Sequence, residues 1–144
     1  MKTNEFGATL NVEKEEHDKL YSSQQKALLE TPMTWSYFVQ KFCVAPHNDG
    51  TLYGYDTKIF SDMIKDENKD KENLKILDYA CGTGILGIAV ASLGHRVHDF
   101  DLSTEGVKVA RKLSKLTGVS RNTEFTEANA QYLPYEDNSF DVVF

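Results

Sequence analysis

Residues 74–84 read Leu-Lys-Ile-Leu-Asp-Tyr-Ala-Cys-Gly-Thr-Gly. The run Leu74 to Tyr79 has the composition of a buried strand, and it ends in a glycine loop. Beyond the loop, Gly84 to Leu93 is a largely apolar helical segment closed by Gly94. A strand that feeds a glycine loop opening a helix lets bare backbone approach a ligand, while N–H groups at the helix start face it.

Downstream, strand and helix alternate. Arg96 to Asp101 reads as a second strand, and Ser103 can cap a helix that runs to Gly118 with Val107, Ala110, Leu113 and Leu116 turned inward. Asn122 to Ala128 reads as a third strand, and Phe140 to Phe144 has the composition of a fourth. The pattern predicts an α/β fold, a parallel sheet with helices on both faces. Right-handed crossovers place loops 79–84, 101–103 and 129–131 on one rim.

Upstream, Val12 to Glu30 predicts an amphipathic helix with Leu20, Tyr21, Ala27 and Leu28 as inner positions, ending at Thr31-Pro32. An apolar-aromatic segment follows from Trp35 to Val44, then a turn at Pro46 to Gly50 and a short helix at Tyr55 to Ile64. The run Asp66 to Asn73 is a hydrated connector.

The 144 residues carry 16 basic and 22 acidic side chains, a net charge of −6. Both halves share the negative balance, which disfavours a nucleic-acid partner. Lys108, Arg111, Lys112 and Lys115 share one helix side and read as a solvated face. The longest apolar stretch, Ile85 to Leu93, is far short of the roughly 20 residues a membrane span needs. The N-terminus lacks the apolar run of a signal peptide, so the expected compartment is the cytoplasm. Cys43 and Cys81 sit in no disulfide framework and no metal-ligand spacing.

A glycine loop recurs by chance, and Gly82, Gly84 and Gly87 even satisfy the dinucleotide spacing. The loop suits an adenosine-type cofactor, and Asp101, nineteen residues after Gly82, stands where a carboxylate can accept from both ribose hydroxyls. Asp78 narrows the choice. Four residues before the first glycine it would repel a diphosphate, whereas a ligand carrying an ammonium and a sulfonium would be drawn to it.

At these residues the sequence resembles the class I S-adenosylmethionine-dependent methyltransferases, in particular the methyltransferase 11-like branch. LDYACGTG (Leu77 to Gly84) matches the family's first motif, and HDFDLS (His98 to Ser103) looks like the motif after it. EANAQYLPYEDNSFDVVF (Glu127 to Phe144) is similar to the segment leading into the fourth strand. The resemblance covers residues 74–144. It implies a partial S-adenosylmethionine-binding, Rossmann-like domain there, the first four strands of a seven-stranded sheet. Residues 1–73 would form an N-terminal helical segment and linker serving as lid and substrate region.

The resemblance further implies that Asp78 and the backbone at Ala80, Gly82 and Gly84 hold the methionine end of S-adenosyl-L-methionine. Asp101 would bind the ribose, Leu102 would pack on the adenine, and Asn129 with the Ala130 amide would read the adenine edge. Taken singly, each glycine also fits a simple turn, Asp101 a helix cap and Asn129 a loop. Asn129 stands where an aspartate is more usual, and an amide oxygen can still accept from the adenine amino group. Asp99 stands where a small residue is commoner. A buried carboxylate needs a donor, so His98, Arg96 or the cofactor should lie near it, or the strand end should be open.

The implied reaction is in-line methyl transfer to a small-molecule acceptor. No catalytic residue is selected, since nothing in the spacing distinguishes His17, His47, His95 or His98, and no metal is implied. Trp35, Tyr37, Phe38, Tyr53 and Tyr55 are either core or a roof over the sulfonium. A chain stopping at Phe144, inside the fourth strand, reads as a fragment or truncated product with an unpaired hydrophobic edge through which it could self-associate. Two other readings remain: an NAD(P)-dependent oxidoreductase, which leaves Asp78 unexplained, and a non-catalytic cofactor-binding or interaction module.

Overall fold

The alternation of buried and polar residues along the second half of the chain closes into a parallel sheet in the computed structural model, which describes residues 3–29, 62, 66 and 73–144. The elements in chain order are α1 (Thr3–Leu29), β1 (Lys75–Tyr79), α2 (Ile85–Ala91), β2 (Arg96–Asp101), α3 (Thr104–Leu116), β3 (Thr123–Glu127) and β4 (Val142–Val143). Helix α1 starts nine residues earlier than the periodicity predicts, at Thr3 rather than Val12. The segments at 35–44 and 46–50 lie outside the described residues. So do the expected helix at 55–64, apart from Asp62, and most of the connector, of which Asp66 is helical and Asn73 is a bend.

The strand order is β3-β2-β1-β4, all parallel. Ile76 pairs with Val97 and Val142, and Asp99 pairs with both Asp78 and Phe125. Among the described residues α2 and α3 pack on one face of the sheet rather than one on each. Stepping from β1 to β2 to β3 moves in one direction, so two right-handed crossovers fall on the same side. Ile85, Ile88 and Ala89 of α2 meet Val107, Val109, Ala110 and Leu113 of α3, Phe125 of β3 and Leu28 of α1 in a single buried cluster. Leu74, Ile76, Val90, Ala91 and Val97 form a second. The opposite face carries Leu77, His98 and Phe100, with Tyr135 and Phe140 packed edge-on against His98.

Two apolar positions expected inside are outside. Leu20 is 48% exposed and Leu116 is also 48% exposed, because the first borders an open cavity and the second sits in the last turn of α3. Ser103 caps α3 as expected, its Oγ accepting from the Gly106 N–H at 3.0 Å. No helix of the described residues is long and apolar enough to cross a membrane.

Candidate functional site

The carboxyl ends of parallel strands are where backbone N–H groups and loop side chains converge. Here three loops are stitched together at that rim. The Cys81 N–H donates to Phe100 O at 2.8 Å, and the Ala128 N–H donates to Asp101 O at 3.0 Å. The Asp101 carboxylate closes the arrangement, accepting from the Gly82 N–H and the Ser103 N–H, each at 2.8 Å. Asp101 is therefore no helix cap, a role Ser103 takes. It ties the glycine loop to the turn after β2.

The glycine loop winds through left-handed backbone at Ala80 (φ 62°), Gly82 (φ 56°) and Gly84 (φ 72°). Gly84 is required twice, by that φ and by packing, since a Cβ there would stand 2.8 Å from both the Ala110 Cβ and the Phe125 ring. Ala80 adopts the same conformation with a side chain, which costs about 1–2 kcal/mol.

Between this loop and α1 lies a cavity of about 440 Å³. Asp78, Ala80, Gly82 and Thr83 line it from the sheet side, and Leu20, Tyr21 and Gln24 from α1. Asp78 is buried, with Oδ2 accepting from the Gly87 N–H at 3.2 Å. Loss of solvent raises its pKa to about 6, with the Asp101 charge adding to the rise, while the neighbouring Asp99 carboxyl and the Gly87 N–H oppose it. At neutral pH it is largely ionised. A buried carboxylate facing a cavity, with one backbone donor and acceptor capacity to spare, suits a cationic ligand group.

Asp99 is fully buried, so the strand end is not open, and neither His98 nor Arg96 serves it. His98 lies on the opposite face with its Nδ1 3.5 Å from Glu124, and Arg96 is exposed. The group beside Asp99 is Asp78. Burial, reinforced by that neighbour, pushes the Asp99 carboxyl well above its ordinary range. Burial likewise raises the Cys81 thiol, with Asp99, Asp78 and Asp101 all adding to the effect, so it is neutral and no nucleophile.

Asp78, Ala80 and Gly82 thus share one cavity; Gly84 does not line it but stands in the chain between the lining residues Thr83 and Ile85, and Asp101 lies one hydrogen bond behind. Leu102, Asn129 and Ala130 do not line it. Leu102 is half-buried and its carbonyl accepts from the Lys14 ammonium at 3.0 Å. Asn129 Oδ1 accepts from the Gln131 N–H at 2.9 Å, an Asx turn, and Ala130 borders a separate depression with Leu77 and Tyr135.

Three residues that spacing did not single out for the site belong to it through α1. Tyr21 lies over the loop, its hydroxyl 2.8 Å from where a Gly82 Cβ would stand. Lys14 reaches Leu102 O, Thr104 and Glu127, and Asp18 accepts from the Ser103 hydroxyl and, at 3.1 Å, from the Glu105 N–H. Only the placement of Tyr21 on the inner face of its helix hinted at this, because the contacts span about 60 to 110 residues of chain. The aromatic residues considered as a roof, Trp35, Tyr37, Phe38, Tyr53 and Tyr55, lie outside the described residues.

The sequence model of a family described as "Methyltransferase domain" matches residues 70–144. The ubiquinone/menaquinone biosynthesis C-methyltransferase UbiE of Bartonella quintana (strain Toulouse) is 36% identical over 72 residues, 48% of this chain and 28% of that protein. Norajmaline N-methyltransferase of Rauvolfia serpentina is 34% identical over 85 residues, 58% of this chain and 28% of that one. The chain spans about a quarter to a third of the length of the curated relatives it matches. Among solved structures, magnesium protoporphyrin IX methyltransferase from Synechocystis PCC 6803, with bound SAH, superposes with a TM-score of 0.64 at 16% identity, over 93% of this chain and 56% of that one. That likeness shows the fold. With more than half of its residues matched by the family model, the chain belongs to the methyltransferase domain family, and its fold is the Rossmann-like fold of class I S-adenosylmethionine-dependent methyltransferases.

Proposed function

We propose that this chain binds S-adenosylmethionine at the cavity between its glycine loop and α1 and serves methyl transfer to a small-molecule acceptor. The observation that carries the reading is the buried Asp78 carboxylate facing that cavity, which would receive the ammonium of the methionine moiety. The backbone at Ala80, Gly82 and Gly84 would border the rest of that moiety. Asp101 keeps acceptor capacity beyond its two backbone donors and would take the ribose hydroxyls. Leu102 would pack on the adenine, and Asn129 with the Ala130 amide would read its edge.

When bound, the cofactor supplies a sulfonium-activated methyl for in-line displacement by a nucleophile. The chain's own contribution is alignment and exclusion of water, with Tyr21 covering the loop and Lys14 and Asp18 holding α1 against the turn after β2. The two relatives' names differ in the acceptor atom, carbon in one and nitrogen in the other, so the shared portion of sequence carries the cofactor and not the acceptor. A cytoplasmic setting, without nucleic-acid or membrane partners, completes the reading.

Thermal-shift titration tests it, because a ligand that binds only the folded state raises the melting temperature with its occupancy. S-adenosylhomocysteine should raise it and NADH should not. The reverse pattern would assign the glycine loop to a nicotinamide cofactor instead.

A further inference from the structure

Asp99 is the most deeply buried carboxyl among the described residues, at 0% exposure, and no described N–H or O–H group donates to either of its oxygens. Its surroundings can be named side by side. From β1, Asp78 stands directly opposite it in the strand register. From α2, which has no titratable residue, Gly87 comes so close that a Cβ there would collide with Asp99 Oδ1 and lie 3.0 Å from Asp78 Oδ2. From β3, the register partner is Phe125. On its own strand Asp101 shares its face but is held by the Gly82 and Ser103 N–H groups, and from the glycine loop the nearby Cys81 thiol is neutral. No described cation faces Asp99.

Two carboxyl groups side by side in a buried, cation-free place cannot both carry charge, so the pair retains one proton at neutral pH. The more deeply buried partner keeps it. We propose that Asp99 is a positioning residue of the cofactor pocket: its carboxylic acid donates a hydrogen bond to Asp78 and holds that carboxylate toward the cavity, ready for an ammonium group. The proposal rests on the cofactor reading for the identity of the ammonium, and on the strand register and Gly87 for the contact itself. Burial of both groups supports it, lifting Asp99 further than Asp78. A small residue in place of Asp99 would leave Asp78 without this donor.

The test compares the intact chain with its Asp99→Asn and Asp99→Ala variants, each first checked by circular dichroism. Infrared difference spectroscopy at pH 7 should show a protonated carboxylic acid that both variants lack. Its absence from the unaltered chain would overturn the proposal whether or not any cofactor binds. Calorimetric titration with S-adenosylhomocysteine between pH 5 and 8 supplies the second arm. Affinity should fall by about tenfold per unit below the Asp78 midpoint. Asp99→Asn, which keeps an N–H donor, should remain within about threefold of the unaltered chain at pH 7, whereas Asp99→Ala should lose about tenfold, the size of one charge-assisted hydrogen bond. The acid limb of Asp99→Ala should also move to higher pH. Equal affinities and pH profiles for all three proteins would make Asp99 mere filler. Failure of the ligand to bind the unaltered chain at any pH would refute the cofactor reading and leave the infrared result to decide the hydrogen bond.

Discussion

Asp78 is a residue at which burial and binding pull in opposite directions. Its raised pKa means that the folded chain binds a proton more tightly than the unfolded chain. Stability therefore falls as pH rises from about 4, the unfolded value, to about 6, the folded one. That shift corresponds to a cost on the order of 3 kcal/mol at neutral pH. Asp78→Asn should recover much of it in urea melts at pH 7, show little gain at pH 4, and lose S-adenosylhomocysteine binding. A variant that is both less stable and still binds would remove Asp78 from the site. Asp101 behaves differently because its two charge-assisted bonds to Gly82 and Ser103 hold the rim together. Asp101→Ala should lose cofactor stabilisation and also about 2–4 kcal/mol of stability, with far-UV circular dichroism nearly unchanged. Ala80 carries the opposite kind of defect, a side chain at φ 62°. Ala80→Gly should raise stability by up to about 1 kcal/mol, since relief of the strain exceeds the added freedom of the unfolded chain.

At the scale of elements, α1 matters most, because it reaches the rim from outside the alternating pattern. Its hold is a mixture of Leu28 in the core and the polar contacts of Lys14 and Asp18 on the turn that caps α3. Burial works against ionisation of Asp18, but hydrogen bonds from Ser103, Glu105 and Lys14 outweigh it and hold its carboxyl below the ordinary range. Asp18→Ala removes a second acceptor from the start of α3 and should cost about 1 kcal/mol, as an N-cap does. Hydrogen exchange should speed up along α1 more than along α2 or the sheet; uniform exchange would mean that Leu28 alone secures the helix. The same element shows what was legible beforehand. The bounds of β2, the Ser103 cap and the glycine loop could be read locally, since period, cap chemistry and glycine placement are properties of neighbours in sequence. The placement of Tyr21 over Gly82 depends on a contact across about 60 residues of chain, which no local pattern encodes. Asp99 was recognisable as an anomaly, but its partner was not, because strand register decides that Asp78 and not His98 or Arg96 stands beside it.

For the whole molecule, the strand order sets which surfaces remain available for association. With β1 and β2 inside the sheet, β3 and the two-residue β4 are its edges among the described residues. The β3 edge is guarded by Glu124 and Glu127, both exposed, and charge of this kind discourages strand pairing. Among the described residues β4 itself carries no charge, Asp141 standing just before it: Val142 and Val143 pair with Ile76 and Leu77 on one side, and Val143 is 58% exposed. Beside it, Leu77, Phe140 and Val143 contribute to the wall of a depression of about 540 Å³ on the sheet face opposite α2 and α3. Glu136, Asp137 and Asn138 line the other side of that depression, so the short apolar edge of β4 is the part of this surface on which one copy could pair with another. The 144-residue chain should accordingly show a weight-average mass in sedimentation equilibrium that rises with concentration. Val143→Lys should return it to the monomer mass with S-adenosylhomocysteine binding unchanged, since Val143 lies on the far side of β1 from the Asp78 carboxylate. A chain that stays monomeric at every concentration, or a Val143→Lys variant that associates as strongly, would show that β4 is not the surface through which copies meet.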